Sequence, residues 1–152
     1  MARTRVLLIE DNPVDVHLIN YALQEEATWP TETSVAEDGE EAIEYLLQQG
    51  SFANVSRPDL VILDLNLPKR DGIEVLQVIR TREELRMLPV IVLSSSSEDI
   101  INDKLRQAHV MSNCSLSKPI DADEFLALGK KFRRCYETAV GSKTRSAESA
   151  ER

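Results

Sequence analysis

Three times in this chain four large aliphatic residues stand in a row and stop at a polar residue. Residues 6–9 precede Glu10 and Asp11, residues 60–63 precede Asp64, and residues 90–93 precede Ser94. A run that short, without polar alternation, suits a strand buried on both faces, as in a parallel sheet covered by helices. Parallel strands need crossover connections, and the intervening segments have the matching pattern. Residues 14–25 carry Val16, Leu18, Ile19, Ala22 and Leu23 on one side. Residues 40–49 carry Ala42, Ile43, Leu46 and Leu47, and Gly50 is expected to end that helix. Ile73, Val75, Leu76 and Ile79 mark a third helix that ends in the charged segment 81–86, and residues 98–107 a fourth. Weaker strands are expected at 31–36 and 113–117. A last helix is expected from 121 to about 140, with Phe125, Leu128, Phe132 and Tyr136 at helical spacing. Strand and helix alternate five times, which predicts an α/β domain with a five-stranded parallel sheet and helices on both faces. Trp29 reads as a packing anchor. The last twelve residues, GSKTRSAESAER, hold no large apolar side chain. The expected division is therefore one domain over 1–140 and a disordered tail over 141–152.

Composition narrows the partners. With 18 lysines and arginines against 26 aspartates and glutamates, the net charge is −8. An acidic chain with few aromatic residues is a poor match for nucleic acid or anionic lipid. No apolar run approaches the ~20 residues of a membrane span, and the run after the two N-terminal arginines is too short for a secretory signal. The expected location is the cytoplasm. Cys114 and Cys135 are the only cysteines, and two thiols in a domain of this size are expected to stay reduced. His17 and His109 have no metal-ligand spacing.

In a parallel sheet the carboxyl ends of the strands share one edge, where ligands collect. That edge would gather Glu10, Asp11, Asp64, Ser94 and, after the fifth strand, Lys118. Two carboxylates ~4 Å apart repel by roughly 4 kcal/mol at an effective dielectric near 20. Such a cluster calls for protons, a lysine or a metal, and hard oxygen donors favour Mg²⁺. A carboxylate nucleophile, a cation, a hydroxyl and a lysine are the equipment for moving a phosphoryl group onto Asp64, since positioning and charge neutralisation carry most of that chemistry. Singly these residues are ordinary: an acidic pair more often ends a strand in solvent, and a lone lysine is usually a surface charge.

Glu10-Asp11, Asp64, Ser94 and Lys118-Pro119, in that order, resemble the receiver domain of two-component response regulators over about residues 5–140. That resemblance implies a flavodoxin-like (βα)5 fold and Asp64 as phospho-acceptor. It further implies Mg²⁺ held by Asp11, Asp64 and the main-chain carbonyl of Asn66, with Glu10 acting through water, and Ser94 and Lys118 as the pair that senses the phosphoryl group. The run DLNLPKRDG, the segment QQGSFANVSRPDL and the pair Asn113-Cys114 look, more narrowly, like the small response regulators associated with cyanobacterial and bacterial phytochromes. The partners implied are a histidine kinase, of phytochrome type, and a downstream protein. A homodimer through the last helix and adjoining strand is also implied, its apolar stripe being Phe132, Tyr136 and Val140. With only the tail after the receiver, output is expected through protein contact. One departure is Ser115, three residues before Lys118, where receivers usually have an aromatic ring. Two other readings compete. An aspartate-nucleophile phosphatase of the haloacid dehalogenase type would need a second acid two residues after Asp64, where Asn66 stands. A binding module indifferent to phosphorylation would have no use for the intact set.

Overall fold

The computed structural model describes residues 2–150, with side chains described as far as Gly141. Five parallel strands, β1 (Thr4–Ile9), β2 (Thr31–Ala36), β3 (Leu60–Asp64), β4 (Val90–Ser94) and β5 (Cys114–Ser117), form one sheet in the order β2-β1-β3-β4-β5. Helices α1 (Pro13–Gln24), α2 (Gly39–Leu46), α3 (Gly72–Thr81) and α4 (Glu98–Gln107) connect them. α5 (Ala122–Leu126) and α6 (Leu128–Ala150) follow.

The strands explain their own burial. Successive side chains alternate faces, and every residue from Leu60 to Asp64 and from Val90 to Ser94 is buried. Leu7, Ile9, Val61, Leu63, Val90 and Val92 pack on one side with α2, α3 and α4. Val6, Leu8, Leu60, Ile62, Ile91 and Leu93 pack on the other, where α1, α5 and α6 lie. The helix starts are capped locally: Asn12 accepts from Val14 N–H, Asp38 from Glu41, Asp71 from Glu74 and Ser97 from Ile100. Pro13 occupies the first turn of α1, where its missing N–H costs nothing.

Several expectations are corrected. α2 stops at Leu46; Gln48 and Gly50 beyond it are both left-handed, each at φ 56°, and Gly50 opens a single 3-10 turn, Gly50–Phe52. The last helix is two. Ala127 separates α5 from α6, which is helical to Ala150; residues 151–152 of the expected tail lie outside the described residues. The stripe expected to run past the sheet does so only at its end. Phe132 is fully buried, and Tyr136 is half-buried and stacked on Trp29 with ring centroids 5.6 Å apart. Val140 alone of the three is exposed. Trp29 is the anchor expected, its indole N–H donating to Thr4 Oγ1 at 3.1 Å.

The cysteines are also corrected. Cys114 on β5 and Cys135 on α6 form a disulfide, with Cα atoms 6.0 Å apart. Nothing in the spacing revealed that α6 crosses beside the edge strand. Among the described residues no helix is long and apolar enough to cross a membrane.

Candidate functional site

Four strand ends build the site. β1 delivers Glu10, which is buried, and then Asp11, which is exposed. β3 delivers Asp64, whose Oδ1 accepts from the Asn66 N–H at 3.0 Å as the chain turns away. Gly72 closes that turn. A Cβ there would stand 2.5 Å from the Asp64 carbonyl oxygen, so only glycine lets α3 start against the strand end. Gly39 does the same for the loop's far side, where a Cβ would meet the Arg70 carbonyl at 2.0 Å. β4 delivers Ser94, buried, with its Oγ accepting from Ser96 N–H at 3.2 Å and lying 3.5 Å from Asn66 Nδ2. The β4–β5 ladder sets Ser94 opposite Ser117, and the Lys118 N–H donates to the Ser94 carbonyl at 2.7 Å.

Lys118 then turns its side chain back across the sheet edge. Its Nζ lies 3.0 and 3.2 Å from the two Glu10 oxygens, 3.2 Å from Asp64 Oδ2 and 2.9 Å from Asp15 Oδ2. Burial alone would lower the lysine's pKa. The Asp15 bond, the Asp64 charge and the Glu10 bond outweigh it, and the ammonium is held well above its ordinary value. Glu10 moves the other way from a usual carboxylate. Burial, then the neighbouring Asp64, pushes it up to about 8 despite the pull of Lys118.

Every residue expected at the site is at this edge. Glu10, Asp11 and Asp64 each offer an oxygen within 4.8 Å of the others, so the three could hold a metal ion together. Asn66, Ser94 and Lys118 surround Asp64 or its turn. A cleft of about 580 Å³ opens beside them, lined by Asp11, Asn66, Pro68, Asp71 and Lys104 among others. Asp15 was not expected. It stands in the first turn of α1, where acids are favoured by the helix's free N–H groups, and that ordinary preference hid it. Ser115, in place of the usual ring, shares a hydrogen bond with Ser112 at 3.0 Å.

A doubly wound parallel sheet with this acidic edge and a lysine reaching across it defines a receiver, and the chain belongs to that family. The response regulator receiver domain matches residues 6–129. Within the family it is similar to phytochrome response regulators. The response regulator Rcp1 of Synechocystis sp. is 39% identical over 113 residues, 74% of this chain and 75% of that protein. The phosphorylated cyanobacterial phytochrome response regulator RcpA matches with a TM-score of 0.79 at 40% identity, covering 89% of this chain and 94% of that one. The Mn²⁺-bound form of Rcp1 matches at 0.75 and 34%, covering 84% and 90%.

Proposed function

We propose that this receiver takes a phosphoryl group from a histidine kinase, of the phytochrome kind, onto Asp64. The observation that carries the reading is the buried Asp64 carboxylate. It is bonded to a lysine at 3.2 Å and flanked by two acids close enough to share a cation with it. An Asp64 oxygen attacks phosphorus, the P–N bond of the donor phosphohistidine breaks, and its electron pair stays on the imidazole. The donor set fits Mg²⁺: hard carboxylate oxygens, with no thiolate or imidazole among them. Asp11 and Asp64 would hold the ion with the main-chain carbonyl of Asn66, Glu10 acting through water. The ion, when bound, neutralises charge on the group being transferred. Lys118 offers its ammonium to the transferred oxygens, Ser94 its hydroxyl, and the Asn66 N–H orients the Asp64 carboxylate.

The protein is a signal carrier in this reading, labelled once and slow to lose its label. A phosphatase is disfavoured by Asn66, which cannot act as general acid two residues beyond the nucleophile. Without a ring at Ser115 the phosphorylated state is reported by other surfaces. We assign output to protein contact, in the cytoplasm, with a symmetric homodimer through α6 and β5. Nucleic acid and membrane are left out by the acidic charge. The unit that does this ends near residue 140.

Acetyl phosphate with Mg²⁺ should add one phosphoryl mass to the wild type and none to Asp64→Asn, as read by intact-mass spectrometry. Full labelling of that variant, or equal labelling without Mg²⁺, rejects the reading. Sedimentation decides the dimer: a monomer at high concentration, labelled or not, ends that part.

A further inference from the structure

The Lys118 ammonium has three N–H donors and four carboxylate oxygens within 3.2 Å. It is oversubscribed before any phosphoryl group arrives. A phosphoryl group brings three strong acceptor oxygens and up to about two negative charges. At least one present partner must then let go. The three carboxylates are not equally free to do so. The side chains of Glu10 and Asp64 are 1% and 5% exposed and fixed at the ends of two central strands. Leaving a buried polar group without its partner is costly, most of all for the Asp64 carboxylate. Asp15 makes the shortest of the four contacts, yet its side chain is 19% exposed. It can turn to water, and the N-terminus of α1 continues to favour its charge.

We propose that Asp15 is a positioning residue that holds Lys118 while Asp64 is unmodified and releases it to the phosphoryl group. This rests on Asp64 being the phospho-acceptor. In that role Asp15 sets the threshold for phosphorylation. Its negative charge competes with the incoming group for one ammonium and repels the group as it arrives. Glu10 and Asp64 keep the lysine at the site while Asp15 decides how readily it is shared.

Asp15→Asn keeps the side chain's size and removes its charge. The half-saturating acetyl phosphate concentration for Asp64 labelling should fall about tenfold, the equivalent of about 1.4 kcal/mol. Asp15→Glu restores the charge and should bring the half-saturation back towards the wild-type value. Melting curves check that both variants fold. A second reading does not depend on rates. The Asp15 carboxylate carbon resonance, assigned by its loss in Asp15→Asn, should shift in proportion to the labelled fraction as the contact breaks. Unchanged half-saturation in a folded Asp15→Asn, or an Asp15 resonance that stays put in fully labelled protein, overturns the proposal. A wild type that never labels sinks the phospho-acceptor reading and this release step with it. A wild type that labels while Asp15→Asn behaves identically sinks only the role of Asp15.

Discussion

Glu10 shows at single-residue scale that the site opposes stability. Its folded pKa is raised from 4.5 to about 8, so between those values the folded protein keeps a proton that the unfolded chain has lost. Stability therefore falls as pH rises through that window, and below about 4.5 the effect is absent. At pH 7 the cost is on the order of 3 kcal/mol at most, from a shift worth about 1.4 kcal/mol per unit. Urea midpoints taken without divalent ions should drop from pH 5 to pH 8 in the wild type. The slope should flatten in Glu10→Gln; an equal slope there assigns the effect to other groups. Lys118 carries no comparable slope in this range, because its raised pKa keeps it charged throughout. Glu10, Asp11, Asp64 and Ser94 were legible because each follows an apolar run that had to be a strand, and Lys118 because the fifth strand of the alternation had to end at the same edge. Asp15 was not, because it lies on a helix whose own start explains an acid equally well.

Elements were legible in proportion to how far their own pattern decided them. The three central strands fall where their aliphatic runs stand, since burial on both faces leaves no other use for such runs. Edges and ends were harder. Whether Phe132 and Tyr136 met core or solvent depended on how far α6 travels beside β5, which is a tertiary quantity. The same crossing brought Cys114 to Cys135, 21 residues later in the chain. A loop of that length closed by a covalent bond stabilises by about 3 kcal/mol through the unfolded state. Reduction with dithiothreitol should lower the urea midpoint accordingly, and Cys114→Ser should match the reduced protein. A midpoint indifferent to both would leave the bond without a stabilising part. Cytoplasmic thiols are kept reduced, so in the proposed location the pair should spend most of its time as thiols and the domain should stand without that 3 kcal/mol.

The whole molecule has two dissimilar ends. One end of the sheet gathers acids around a lysine. At the other, Arg80 at the close of α3 donates to the carbonyls of Met111, Arg86 and Leu88 at 2.9, 3.0 and 2.7 Å and to Asn113 Oδ1 at 2.9 Å. Asn113 Oδ1 also accepts from Val90 N–H at 2.8 Å, while the Asn113 N–H donates to Val90 O at 2.9 Å. One guanidinium thus gathers the two loops that feed β4 and β5, and its burial draws its pKa down. The Asn113-Cys114 pair stood out in the sequence, but its bond to Arg80 did not, because the two lie 33 residues apart. Such a fastening makes opening directional. In native-state hydrogen exchange, which reads the free energy of local opening segment by segment, the amides of Val90 and Asn113 should be among the last to take up deuterium. Those of the Asn66–Asp71 turn should go early, and Arg80→Ala should erase the difference. The sheet would then loosen from its signalling edge while the opposite edge stays shut. A chemical event at Asp64 could change surfaces nearby without bringing the domain close to unfolding.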